Sequence, residues 1–157
     1  MRSLRVYIDT SVIGGCLDAE FAAESLRFFD LVRHGQVVVL ISDIVIEELR
    51  DAPEQVQDLL ASLPPSGVSR VELTRDVIEL RDAYVAAGVL SKRFVDDATH
   101  VAAATVARAD AIASWNFRHI VRLDKMRLYN QVNLQNGFGL LSIVSPREVR
   151  FDDDKQG

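Results

Sequence analysis

Gln36–Val37–Val38–Val39–Leu40–Ile41 is a continuous apolar run, bounded by Gly35 on one side and Ser42 on the other. An antiparallel strand with one wet face alternates apolar and polar residues, whereas a strand covered on both faces does not. The run therefore predicts a strand buried between two layers of helices in a parallel sheet. Upstream, Glu20 to His34 carries Phe21, Leu26, Phe28, Phe29 and Val32 at helical spacings, with Gly35 placed to end the helix. Before that, Leu4–Arg5–Val6–Tyr7–Ile8 reads as a short strand.

Downstream the alternation continues. Ser42 is placed to cap a helix over Asp43–Arg50, and Pro53 breaks the chain before a second helix, Glu54–Leu63, which Pro64–Pro65 ends. Gly67–Leu73 alternates as an edge strand, and Thr74 caps a helix that Gly88 closes. Asp96 or Asp97 is placed to cap an alanine-rich helix, Ala98–Arg108, which is followed by a short strand at Ala111–Ala113 and a last strand at Leu140–Val144. Strands alternating with helices imply an α/β fold, a three-layer α/β/α sandwich around a mostly parallel central sheet. At 157 residues, residues 1–150 make one domain, with a polar, acidic tail over 151–157.

Composition narrows the function classes. The chain is 48% hydrophobic and 26% charged, with a net charge of −5 and one cysteine, Cys16. An intramolecular disulfide is excluded, and a cytoplasmic location is the expectation. The negative charge argues against indiscriminate nucleic-acid coating, but a metal-holding acidic site would itself subtract charge. No apolar run approaches the roughly 20 residues of a membrane helix, so no membrane partner is expected. Phosphate-loop, dinucleotide-binding and nucleophile-elbow motifs are missing from the sequence.

The residues that carry chemistry lie beyond strand ends, where open α/β sheets place their sites. Asp9 follows the first strand, Glu48 sits in the helix opened by Ser42, Asp97 starts the alanine-rich helix, and Asn116 follows the strand at Ala111–Ala113. Asp9 reads equally as a helix cap, and Glu47 and Glu48 point about a quarter-turn apart, so only one of them faces a given pocket. If Asp9, Glu48 and Asp97 meet, they form the oxygen-rich set that suits Mg2+ or Mn2+. Such an ion lowers the pKa of bound water for phosphodiester hydrolysis. His100 shares a helix face with Asp97 and is read either as a site residue or as a satisfied buried histidine. Trp115 is placed either to stack on an RNA base or to pack. Lys92, Arg93, Arg118, Arg122 and Arg127 are the candidates for phosphate contact.

Taken in order, Tyr7–Ile8–Asp9–Thr10–Ser11, Ser42 with Glu48–Leu49, Asp97 before an alanine-rich helix, and Ser114–Trp115–Asn116 resemble the PIN-domain nucleases, and among them the VapC-type toxins. The resemblance spans about Leu4 to Val149. It implies a Mg2+- or Mn2+-dependent endoribonuclease, the toxin component of a toxin–antitoxin pair, acting on RNA, held by a small antitoxin protein and forming a homodimer. It also implies Asp9, Glu48 and Asp97 as metal-site residues with Asn116 assisting, and Asp96, Ser11, His100 and His119 as auxiliaries. Glu48 is preferred to Glu47 because the family's glutamate precedes an aliphatic residue, here Leu49. The chain departs from the pattern at His119, where many relatives carry a fourth acid. A binding module with a weakened site, or a housekeeping RNA-processing nuclease, are the alternative readings.

Overall fold

A computed structural model describes residues 2–151, so the acidic tail lies outside the described residues apart from Phe151. Five strands form one sheet: β1 (Leu4–Ile8), β2 (Val37–Ser42), β3 (Val68–Val71), β4 (Ala111–Ala113) and β5 (Ser142–Val144). Their order is β3-β2-β1-β4-β5, and every pairing is parallel. β3, read as an edge strand, is at the edge. The fold is the three-layer α/β/α sandwich expected, with a wholly parallel sheet.

Side-chain alternation along each strand divides the interior into two cores. Val6, Ile8, Val37, Val39 and Ile41 face α1 (Thr10–Gly14), α2 (Ala22–Arg33), α3 (Asp43–Glu48) and α4 (Glu54–Ala61). Tyr7, Leu40, Ile112 and Ile143 face α5 (Arg75–Ala86), α6 (Val95–Val106) and α7 (Leu123–Gln135). The unbroken run in β2 is thus two interleaved apolar sets, one for each core, which is why no polar residue interrupts it. Ala98, Ala102, Ala103 and Ala104 are fully buried on α6, where short side chains let the helix lie close to the sheet.

Two local expectations need correction. α6 begins at Val95 with Phe94 as its cap residue, so Asp96 and Asp97 lie inside the first turn and cap nothing. Carboxylates there still favour the helix through its dipole. Ser42 precedes α3 but makes no capping hydrogen bond; its hydroxyl turns inward to Tyr7, 2.7 Å away. Gly14 and Gly15 are both in the right-handed helical region. Gly15 is needed for space: a Cβ there would meet Ser25 Oγ at 2.7 Å and Trp115 Nε1 at 2.9 Å.

The segment after Asn116, which carries the phosphate-contact candidates Arg118, Arg122 and Arg127, contains α7, for which the sequence predicts no helix. Its buried contacts come from Tyr129, Val132 and Asn133, with Arg122 rather than a Ser, Thr, Asp or Asn at its start. Among the described residues, no helix is long and apolar enough to cross a membrane.

Candidate acidic site at the carboxyl end of the sheet

Strand order reverses direction at β1, with β2 on one side and β4 on the other. In open parallel sheets the connections leave such a point on opposite faces and open a crevice outside the strand ends. The residues that follow β1 and β4 fall there.

Asp9 is the centre of this crevice and is 5% exposed. It caps α1, so the cap reading and the site reading describe the same carboxylate: Oδ1 accepts from Ser11 N at 3.2 Å. Oδ1 also accepts from Ser11 Oγ at 2.5 Å, and Oδ2 from Ser114 Oγ at 2.6 Å. Both hydroxyls are oriented by the chain after β4, because Ser11 Oγ accepts from Trp115 N at 2.9 Å and Ser114 Oγ from Asn116 N at 2.9 Å. Each serine proton is thereby directed at Asp9. Burial still pushes the Asp9 pKa up, against the opposing pull of His100 and the two serines.

Asp97, on the first turn of α6, is the second acid. Burial raises its pKa, the Asn116 side chain lowers it, as do His119 and His100 when protonated, and Asp9 raises it further. Asp9 and Asp97 are thus within electrostatic reach of one another. Among the described residues, neither is ion-paired with a lysine or arginine.

The two glutamates of α3 separate as their spacing requires. Glu47 pairs with Arg50 on the surface at 2.8 Å, whereas Glu48 Oε1 lies 3.3 Å from His100 Nε2. Asp96 is exposed, on a different side of α6 from its neighbour Asp97. His100 is buried and its Nδ1 lies 2.8 Å from Tyr7 Oη, which fits the reading of a satisfied buried histidine while keeping it against the acids.

Asn116 Oδ1 accepts from the backbone N–H groups of Arg118 and His119 at 3.2 and 2.9 Å, leaving the amide nitrogen as its free donor end. His119 stacks on Phe94 with centroids 3.9 Å apart. Desolvation lowers its pKa despite Asp97, so it is a neutral ring where an acid was expected. Among the described residues, the buried side-chain polar atoms without a partner are His119 Nε2 and Thr10 Oγ1. Thr10 follows β1 and His119 follows β4, so both lie beyond strand ends on this side of the sheet.

Of the basic candidates, Lys92, Arg93 and Arg118 are exposed. Arg93 lies over the Phe94 ring, 5.6 Å from its centroid. Arg122 is committed to a two-point pair with Asp124 at 2.6 and 2.7 Å, which makes it the least free for phosphate. Trp115 is packing: it is 6% exposed, stacked on Phe21 at 4.3 Å, and its Nε1 donates to Ser25 Oγ. The exposed aromatic is Phe117, two residues on and 46% exposed.

The sequence reading missed Ser114 and Tyr7 as individual site residues. A tyrosine inside an otherwise apolar strand was the available signal, since a buried phenol needs a partner. Among the described residues, no three His, Cys, Asp or Glu side chains are gathered tightly enough to hold a metal ion unaided. Magnesium asks for less, since it keeps several waters and takes one or two carboxylates directly. The donor set is all-oxygen and, among the described residues, neither aspartate is paired with a lysine or arginine, so the residues fit a hard divalent cation. No family model matches the chain, and no curated protein matches it.

Proposed function

We propose that this chain is a Mg2+- or Mn2+-dependent endoribonuclease, with Asp9 and Asp97 as the principal metal-holding carboxylates and Glu48 at their margin. The observation that carries the reading is a buried carboxylate, Asp9, with a raised pKa and oriented by two serine hydroxyls, together with a second raised carboxylate, Asp97, within its electrostatic reach, neither paired with a lysine or arginine among the described residues. Desolvated carboxylates are costly to hold ionised in a folded protein unless a cation relieves them. When bound, the divalent ion supplies charge stabilisation at the phosphate and a more acidic water.

The chain's own residues do the rest. Ser11 and Ser114 lock the Asp9 carboxylate, and the Asn116 amide restrains Asp97. Lys92, Arg93 and Arg118 offer exposed cations for the backbone of the substrate. RNA as substrate, a homodimeric state, a small antitoxin partner and a cytoplasmic location rest on the resemblance of Tyr7–Ser11, Ser42 with Glu48–Leu49, Asp97–Ala104 and Ser114–Asn116 to the VapC-type PIN nucleases.

The test is cleavage of a mixed RNA pool with MnCl2, MgCl2 or chelator, run beside Asp9→Asn. Metal-dependent cleavage that Asp9→Asn abolishes supports the reading; equal cleavage by both proteins overturns the site.

A second reading is favoured by His119, a neutral ring where a fourth acid was expected. It is a PIN-like RNA-binding module that has lost hydrolysis. Mn2+-induced thermal stabilisation without cleavage would favour this module over the nuclease.

A further inference from the structure

A second buried polar chain reaches the candidate site, and hydrolysis as proposed makes no direct use of it. Ser42 Oγ lies 2.7 Å from Tyr7 Oη, Tyr7 Oη lies 2.8 Å from His100 Nδ1, and His100 Nε2 lies 3.3 Å from Glu48 Oε1. Ser42, Tyr7 and His100 are buried, whereas the Glu48 side chain is 42% exposed. The chain therefore runs from the carboxyl end of β2 across β1 and α6 to a partly exposed carboxylate on α3.

Its polarity follows from which groups can donate. An ionised carboxylate only accepts, so Glu48 requires a proton on His100 Nε2. In a neutral imidazole Nδ1 is then a bare acceptor, and the group facing it is the Tyr7 hydroxyl. Tyr7 has one proton to give, so its oxygen accepts from Ser42. The opposite tautomer would set the His100 Nε2 lone pair against the Glu48 carboxylate.

We propose that Ser42, Tyr7 and His100 are positioning residues, a one-way hydrogen-bond relay that fixes the Nε2–H tautomer of His100 and thereby holds the Glu48 carboxylate toward the crevice. The assignment of a metal-related role to Glu48 rests on the nuclease reading; the tautomer and its dependence on Tyr7 do not. Groups of this kind, which orient a ligand without touching the ion, typically change metal affinity by about 10–100-fold when removed.

The test uses the full chain labelled with 15N-histidine and free of metal. His100 is identified among the three histidines by spectra of His34→Gln and His119→Gln. Long-range 1H–15N correlations are expected to show His100 protonated at Nε2 and bare at Nδ1. Tyr7→Phe removes the donor to Nδ1 and is expected to shift the ring toward the Nδ1–H form. In calorimetric titrations with MnCl2, Tyr7→Phe is expected to bind about tenfold more weakly than the parent. Ser42→Ala should fall between them, and Ser42→Thr, which keeps the hydroxyl, should restore the parent's affinity.

Tyr84→Phe is the control for a general loss of packing. It removes an equally buried phenol hydroxyl and should leave both the His100 tautomer and the Mn2+ affinity unchanged. A doubly protonated or Nδ1–H His100 in the parent overturns the relay, as does a tautomer indifferent to Tyr7→Phe. If the parent binds no Mn2+ while the tautomer behaves as stated, the relay stands and the metal reading of the site falls.

Discussion

Tyr7 and Tyr84 sit in the same core, on one side of the sheet, and both are fully buried. Desolvation raises both phenols, and each is hydrogen-bonded to a hydroxyl side chain. Their surroundings then diverge. Tyr84 Oη donates to Asn133 Oδ1, Asn133 Nδ2 donates to Thr105 Oγ1 at 3.3 Å, and Thr105 Oγ1 lies 3.3 Å from Tyr84 Oη. This is a closed, neutral triangle joining α5, α6 and α7. The Tyr7 chain is open: it ends on Glu48, and Asp9 and Asp97 lie within electrostatic reach of its histidine. A closed neutral network returns its cost as rigidity. The open one ends on a partly exposed carboxylate, and the electrostatic strain beside it lies in Asp9 and Asp97, whose pKa values burial raises.

The comparison breaks first at Asp9. Asp9→Asn keeps the shape and removes the charge, so metal-dependent cleavage should fall by at least about 100-fold. That corresponds to the several kcal/mol a metal supplies, at about 1.4 kcal/mol per tenfold. The fall is measured by initial rates on a labelled oligoribonucleotide at saturating MnCl2, with circular dichroism to confirm that the fold is retained. Loss of the fold instead of the rate would place Asp9 with the structural residues.

Asn133 should behave in the opposite way. Asn133→Ala leaves the Tyr84 hydroxyl with only Thr105 and strips Asn130 of one donor, so it should cost about 1–3 kcal/mol of folding stability, read from the urea midpoint. Mn2+ affinity should not move. If Asn133→Ala weakens metal binding as much as it weakens folding, the two networks are coupled and the division between them fails.

The two networks differed in how far the sequence disclosed them. The sheet was legible because β2 is apolar on both faces, a pattern with one common structural cause. Asp9 and Asp97 were legible because each borders a run that predicts a buried element, Asp9 just after a strand and Asp97 at the start of an alanine-rich helix. Ser42 was misread because a serine before Asp43–Ile44–Val45 satisfies the local rule for a cap, while its true partner, Tyr7, is 35 residues away and meets it only across the β1–β2 pairing. α7 was missed for a related reason. Asn133 and Asn130 look like turn residues in sequence, and only the fold reveals that they spend their amides on Thr105 and Leu141. Trp115 drew attention as a large aromatic, but what decides its role is the space left by Gly15 and the hydroxyl of Ser25.

That displacement of function from Trp115 to its neighbour gives a smaller prediction at the crevice. Phe117 is exposed and edge-on to Trp115 at 6.1 Å. Stacking of one base on an aromatic ring is worth about 1–3 kcal/mol. Phe117→Ala should therefore raise KM for single-stranded RNA by about fivefold to tenfold with kcat little changed, and Phe117→Tyr should restore it. A change in kcat alone would move Phe117 from substrate binding to the support of Asn116.

The smallest effect tests the strain itself, without RNA. The folded-state pKa of Asp97 lies above its ordinary value of 3.8, so in the window between the two the folded chain binds the proton more tightly than the unfolded chain. Stability contributed by that proton is present at low pH and is lost as pH rises through the window. Above it, ionised Asp97 is a standing penalty. Metal-free Asp97→Asn should therefore be modestly more stable than the parent at neutral pH, and its stability should fall less steeply as pH is raised from acid to neutral. Added MnCl2 should reverse the order, because it stabilises the parent in proportion to its binding and leaves the variant nearly unmoved. Melting temperatures of the two proteins across pH, with and without MnCl2, measure this directly. The same titration of Asn133→Ala should run parallel to the parent at every pH, since no member of the Tyr84–Thr105–Asn133 triangle carries a charge in that range. Parallel curves for Asp97→Asn as well would mean that the acids at the crevice are no more strained than the neutral triangle.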